Sequence, residues 1–427
     1  VMWSLTWIVI VGVCLTSMLV RLAQGLLVKE RMLTPARMSS ICGIIRSSSS
    51  DEAPVAPGAE SWPKNLASIV RNSRLQPFDI RGREVWVKRE DEFRLDSGIS
   101  GNKARKLFWL NQLPKQEFPK VVVSHGGHQS NAMLAIAAVC AKFGSEFRYY
   151  VKKTPRWLRN NPSGNYARVL ALGTRMLELD NADYNDYFGG PSGKLSPPQL
   201  LAEKEGEYWD DGEGIYIPQG GALPGASAGL ALLADEIARD TKERGWAPGE
   251  VAVVVPAGTG TTALFLARHL VPRGFHVAAV PCVGDGSYLR RQMVALARET
   301  ALQEEEEMEE DGVRKEGGEE GLQWQEAHKL QYPLPVVIEG TEKLNFGEPN
   351  ADLLEIWREL EDAGLFVDLL YAPRAWQVMF ENWDNMEHPV LGRKKILYVH
   401  SGGLEGVSTQ LTRYKHKGLI DPKEAMG

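Results

Sequence analysis

From residue 80 onward the chain alternates between two hydrophobic patterns. Short runs of β-branched and apolar residues at 84–90, 120–124, 147–151, 174–179, 214–218, 251–256, 276–281 and 395–400 read as strands. Between most of them, segments at about 103–113, 130–143, 164–172, 225–243, 261–271 and 286–300 carry apolar residues at helical spacing. Such alternation predicts parallel sheets covered by helices. The run "VAVVVP" (251–256) is apolar at successive positions, as expected of a strand buried on both faces.

One helical segment breaks the usual pattern. With Asn102 as N-cap and about 100° per residue, Lys103 falls on the same stripe as Leu107 and Leu110, while Ala104 and Phe108 widen the apolar side. Arg105 points the other way. A lysine on a buried stripe either reaches back to solvent from the first turn, pairs with an acid, or reacts.

Composition changes the picture at the two ends of the charge distribution. The 427 residues are enough for two domains or one large two-part unit, and the 43% hydrophobic content supplies a core. Of the net charge of -6, residues 1–50 contribute +4 and residues 301–322 contribute -8, leaving -2 for the rest. A nearly neutral body offers no basic face to nucleic acid. Cys14, Cys42, Cys140 and Cys282 lie far apart without CxxC spacing, against a zinc site or a disulfide framework and for a reducing compartment. Residues 3–20 are uncharged and 21–50 are Arg- and Ser-rich with one acid, Glu30. Residues 1–50 therefore read as an organellar targeting segment, mitochondrial first and plastid second, or as an anchor through 3–20, where membrane contact is confined. Residues 51–74 read as a linker, and the acidic, Gly-containing stretch 303–322 as a disordered insertion.

Several Gly-rich turns join strands to helices. "SHGGHQSNAM" (124–133) opens a helix with Ser130 and Asn131, where backbone N–H groups and hydroxyls favour a carboxylate or phosphate. "VPAGTGTTALF" (255–265) presents Gly258, Thr259, Gly260, Thr261 and Thr262, which either cradle a phosphate or form a simple tight turn. It has neither the lysine of a Walker loop nor the third glycine of a dinucleotide fingerprint. "IPQGGALPG" (217–225) is another such turn, and "YVHSGG" (398–403) ends the last strong strand with Ser401 and two glycines.

Taken in order, these elements resemble the tryptophan synthase β-like, fold-type II pyridoxal-phosphate enzymes. The branch they resemble holds D-cysteine desulfhydrase and 1-aminocyclopropane-1-carboxylate deaminase, the plant organellar desulfhydrase type most of all. "KRED" (88–91) with "SGNKARKL" (100–107), "GGHQSN" (126–131), "IPQGG" (217–221) and "HSGG" (400–403) carry the likeness, over roughly 75–410 without the acidic insertion. The resemblance implies an α/β fold of two three-layer α/β/α parts with mostly parallel sheets. It implies a catalytic unit over 75–427, with a smaller subdomain at about 106–222 inserted in a larger one, and a homodimer. It implies pyridoxal 5'-phosphate, with Lys103 bonding to its aldehyde, Asn131 on the ring hydroxyl, and Gly258, Thr259, Gly260, Thr261 and Thr262 on the phosphate. Ser130 then takes the substrate carboxylate, and Arg105 and Lys106 are structural or charge-balancing.

"LLYAPRAWQVM" (369–379) matches the segment where the family carries an active-site tyrosine, which makes Tyr371 the candidate; an aromatic core residue is the plain alternative. Ring-opening deaminases carry a glutamate next, on the pyridine nitrogen, and here that position is Ala372. Ser401 is then the expected partner of that nitrogen. A hydroxyl leaves the ring mostly neutral, which suits elimination of thiolate better than ring opening. "AM" (132–133) also departs from the family's polar residues after "QSN". The expected reaction is β-elimination from a small amino acid, D-cysteine first, to pyruvate, ammonia and hydrogen sulfide. The alternatives are the cyclopropane deaminase and a non-catalytic protein that binds the same cofactor.

Overall fold

The structure, a computed structural model, describes residues 72–189, 214–310, 332–392 and 394–421. The targeting or anchor segment at 1–50 and nearly all of the linker lie outside these residues, as does the acidic stretch beyond residue 310. Among the described residues no helix is long and apolar enough to cross a membrane.

The chain begins with a hairpin, β1 (Leu75–Ile80) and β2 (Arg83–Lys88), then two short helical turns, α1 (Gly101–Lys106) and α2 (Phe108–Asn111). Next come β3 (Val121–His125), α3 (Asn131–Phe143), β4 (Glu146–Lys152), α4 (Arg156–Asn160), α5 (Gly164–Ala171), β5 (Arg175–Leu179), α6 (Asn181–Phe188) and β6 (Gly214–Ile217). These four strands form a parallel sheet of their own, in the order β5-β4-β3-β6. The chain then returns through α7 (Ala226–Glu243), β7 (Val251–Ala257), α8 (Thr261–Leu270), β8 (His276–Pro281), α9 (Gly286–Glu310), β9 (Val336–Val337), α10 (Ala351–Asp362), α11 (Ala372–Asn382), β10 (Lys395–Val399) and α12 (Val407–His416). The second sheet runs β1-β2-β10-β7-β8-β9, parallel except for the antiparallel β1–β2 pair.

Every residue of β7 is buried, because α7 and α8 cover one face of the large sheet and α10 and α11 the other. β10 slots between β2 and β7, with Leu397 opposite both Trp86 and Val253. The loop after β10 is thereby delivered to the C-terminal edge of the sheet, where open α/β folds bind ligands.

The structure differs from three expectations. The 103–113 helix starts at Gly101 and breaks at Leu107; its N-cap is Ser100, not Asn102, because the Asn102 N–H is taken by the Ser401 carbonyl at 3.0 Å. The 286–300 helix continues to Glu310, eight residues into the stretch expected to be disordered. Glutamate propagates helix well, and Glu304 is held by Arg268 at 2.6 Å and by the Tyr332 hydroxyl. β1 escapes the apolar-run pattern because Pro77 and an alternating surface face mark it as an edge strand.

Under α1 lies a buried ion network. Arg105 donates to Glu90 at 2.8 Å and to Glu236 at 2.9 Å, and lies 3.6 Å over the Phe93 ring. Lys88 reaches Glu236 at 3.2 Å and Asp240 at 2.7 Å. Lys88, Glu90, Arg105 and Glu236 are each at most 1% exposed. Arg105→Met leaves Glu90 without its cation in a dry interior and should cost about 3–5 kcal/mol of unfolding free energy. Urea denaturation checks this, and a loss below about 1 kcal/mol would show that the network carries no weight.

Candidate active site

Lys103 is presented by a helix start that only glycine permits. Gly101 has φ +71°, and a Cβ there would lie 2.4 Å from the Ser401 carbonyl oxygen. The close approach lets the backbone after β10 bond to the first turn of α1. Lys103 Nζ donates to Asn102 Oδ1 at 3.0 Å. Burial draws its pKa down to about 8, against the opposing pull of the Asp368 and Glu405 carboxylates. Near neutral pH a useful fraction of Lys103 is therefore free amine, the nucleophilic form. Lys103 itself is half-buried, whereas Lys106 is buried; the Lys106 amine donates to the Gly220 carbonyl at 3.1 Å, and burial, with Lys103 nearby, pulls its pKa well below the usual lysine value.

The turn after β3 brings in Ser130 and Asn131. Ser130 caps α3 by accepting from the Met133 N–H at 3.3 Å. Asn131 Oδ1 accepts from Asn165 Nδ2 at 2.6 Å, and Asn165 is itself tied to Gln129 at both backbone and side chain. This fixes the Asn131 amide so that its Nδ2 faces Gly403, where a Cβ would stand 2.9 Å away. Asn131 thus meets the same post-β10 loop that α1 meets.

The third wall is the turn between β7 and α8. Gly258 packs under Tyr371, with a Cβ position 3.2 Å from the ring. Thr259 and Thr261 share a hydroxyl hydrogen bond at 2.9 Å, and Gly220 abuts the Thr259 side chain. Tyr371 heads α11, its N–H bonded to Asp368 Oδ1 at 2.6 Å and its ring 5.2 Å from Phe346. Burial pushes the phenol pKa up, so it stays protonated. Ala372 follows, 1% exposed and without a carboxylate.

Of the five buried hydroxyls without a partner among the described residues, two, Ser401 Oγ and Thr262 Oγ1, stand at these turns. A buried hydroxyl left unbonded costs about 1–3 kcal/mol, so a ligand is expected to complete each. Thr262 lies in the first turn of α8, where N–H groups and a hydroxyl suit a phosphate; Ser401, beside the start of α1, suits a ring nitrogen. Both fit pyridoxal phosphate. Sequence reasoning missed Asp368, Asn165 and Gly101, which act through tertiary contacts. The only sequence signal for Asp368 was an aspartate shortly before a proline-containing helix start.

A family model described as "Pyridoxal-phosphate dependent enzyme" matches residues 69–321. A protein from Thermotoga maritima named putative 1-aminocyclopropane-1-carboxylate deaminase is 24% identical over 338 residues, covering 78% of this chain and 92% of that protein. A D-cysteine desulfhydrase from Salmonella paratyphi A is 31% identical over 201 residues, covering 45% of this chain and 56% of that protein. The crystal structure of an ACC deaminase homologue superposes with a TM-score of 0.60 at 21% identity, covering 82% of this chain and 95% of that one.

Gly101→Ala tests how α1 is docked. It should lose about 1–3 kcal/mol to backbone strain and more to the Ser401 clash, and weaken cofactor uptake. Gly98→Ala shares a positive φ but meets open space, so it should lose only the strain. Equal losses in chemical denaturation would remove the clash from the account.

Proposed function

The chain belongs to the pyridoxal-phosphate-dependent enzyme family, and from that premise we propose that it eliminates the β-substituent of a small amino acid, with D-cysteine as substrate and pyruvate, ammonia and hydrogen sulfide as products. The observation that carries this reading is the pairing of an unpartnered buried hydroxyl at Ser401 with a methyl at Ala372. A hydroxyl supports a neutral ring nitrogen, which is enough for expelling thiolate. Opening a cyclopropane asks for a stronger electron sink, and Ala372 supplies no acid for it.

Pyridoxal phosphate, when bound, supplies an aldehyde that bonds to amines and a ring that absorbs carbanion charge. In this reading Lys103 holds the cofactor through Nζ. As a free amine, the same Nζ would accept the Cα proton of a bound substrate. Ser130 and the α3 N–H groups would orient the substrate carboxylate, and Asn131 would hold the ring hydroxyl. Thr259, Thr261 and Thr262, with the N–H groups of Gly258 and Gly260, hold the phosphate. Tyr371, kept protonated by burial, would donate a hydrogen bond to the departing sulfur. Residues 21–50 support placing the reaction in an organelle, which fractionation of cells expressing the tagged chain reads directly.

Sulfide and pyruvate release from D-cysteine, compared with L-cysteine and the cyclopropane amino acid, tests the reading. Turnover of the cyclopropane substrate alone would overturn it. Lys103→Ala should abolish turnover and covalent attachment of the cofactor; borohydride fixation at another lysine in that variant would reassign the role. Ser401→Ala should slow elimination only about three- to tenfold, the worth of one hydrogen bond to a neutral group.

A further inference from the structure

The Asn131 amide has two chemically opposite ends, and the fold decides which one the cleft sees. The decision starts at backbone atoms. Gln129 Nε2 donates to the Ser163 carbonyl at 3.1 Å, and its Oε1 accepts from the Asn165 N–H at 2.8 Å. A carbonyl can only accept and an N–H can only donate, so the Gln129 amide has one satisfied orientation. Asn165 Nδ2 donates to the Gln129 carbonyl at 3.1 Å, which fixes the Asn165 amide in the same way. The same Nδ2 donates to Asn131 Oδ1 at 2.6 Å. Asn131 must therefore turn its oxygen toward Asn165. Its Nδ2 is the end left over, lying against the Gly403 loop.

This arrangement is tightly packed and carries an energetic cost. Gly164, with φ +58°, opens α5, and a Cβ there would stand 2.6 Å from Gln129 Oε1 and would also meet the Thr409 methyl of α12. A glycine lets α5 and α12 close on Gln129 at the start of α3. Asn165 is 1% exposed, and its own Oδ1 is buried without a partner among the described residues. Turned over, that oxygen would face the Gln129 carbonyl, acceptor against acceptor. The fold therefore leaves one buried acceptor unsatisfied in order to keep Nδ2 on both Gln129 and Asn131, and such groups are rare without a functional reason.

We propose that Asn165 is a positioning residue that sets the polarity of the Asn131 amide, so that the cleft offers the ring oxygen of pyridoxal phosphate a donor and keeps that oxygen ionised. The inference rests on the reading that Asn131 meets the ring oxygen. An N–H directed at a weakly acidic hydroxyl stabilises its anion, whereas a carbonyl in the same place requires the proton to stay. A charged acceptor also makes the stronger hydrogen bond. Asn165 acts on the cofactor only through Asn131.

The test uses the full chain stripped of cofactor and titrated with pyridoxal phosphate at about pH 8, where an aspartate side chain carries its charge. Asn165→Asp keeps the shape of the amide and replaces its donor with an acceptor, which drives Asn131 to turn its Nδ2 inward and its oxygen outward. Two quantities are read: the dissociation constant, and the share of bound cofactor with an ionised ring oxygen, seen as the long-wavelength part of its absorbance. Asn165→Asp should bind about tenfold to a hundredfold more weakly, the worth of a hydrogen bond to a charged group, and shift the absorbance to the short-wavelength, protonated form. A merely structural asparagine would weaken binding and leave the balance of the two bands as in wild type, and that outcome overturns the proposal. Asn165→Ala removes the donor without adding an acceptor, so its band balance should lie between the other two. It decides alone if the aspartate variant does not fold, and a wild-type balance there overturns the proposal. Asn131→Ala tests the underlying reading. If it alters neither quantity, Asn131 does not meet the ring oxygen and the inference falls with that reading; if it shifts the bands and Asn165→Asp does not, only the role of Asn165 fails. No substrate is present, so failure of the D-cysteine reading leaves the result intact.

Discussion

The site depends on a group of charges that never reach solvent. Lys88, Glu90, Arg105 and Glu236 tie the end of β2, the last turn of α1 and the middle of α7 into one piece. Burial opposes the charge of Glu236, yet Arg105 and Lys88 hold its pKa below the ordinary carboxylate range. A buried ion pair is often no more stabilising than an apolar cluster of the same size. What it imposes is direction: Arg105 has one geometry that satisfies both carboxylates, and that geometry sets the roll of α1. Two residues back along the same turn, Lys103 inherits its orientation from this lock.

The rest of the site is organised by close backbone approach. Gly101 against Ser401, Gly403 against Asn131 and Gly258 against Tyr371 each bring two elements together where a side chain would hold them apart. The six-stranded sheet, the four-stranded sheet and α1 thus meet around one loop. That loop carries one unpartnered hydroxyl, Ser401, and another, Thr262, opens α8 next to the Gly258 turn.

Much of this was legible in the sequence, for physical reasons that differ by element. Fully buried strands such as 251–257 announce themselves because every position must be apolar. The Gly-rich turns were visible because backbone approach and helix N-termini demand particular residues. The break at Leu107 and the Ser100 cap were not, because a partner roughly 300 residues distant satisfies the first-turn donor. α10 repeats Leu353, Leu354, Ile356, Trp357 and Leu360 at helical spacing and was readable in principle, although the expected segments stopped short of it. Asp368 reads locally as a turn residue; its place against the Gly403 loop exists only once β10 is in place. The run of glutamates at 304–310 read as solvated chain because composition is silent about the Arg268 and Tyr332 contacts that anchor Glu304.

β10 is the last strand in the chain order and occupies a central slot, pairing with β2 on one side and β7 on the other. Contacts this distant along the chain close slowly, since loop entropy must be spent before they form. During synthesis, β2 and β7 emerge with their facing edges unsatisfied and wait for β10. Until it arrives, α1 has no Ser401 carbonyl to dock on. Lys103, Asn131 and the Gly258–Thr262 turn are all present by then, yet they have no common loop to hold them together. Cofactor capture is therefore a late event in the life of the chain, and the nascent protein's exposed sheet edges are the interval in which a chaperone has the most to protect.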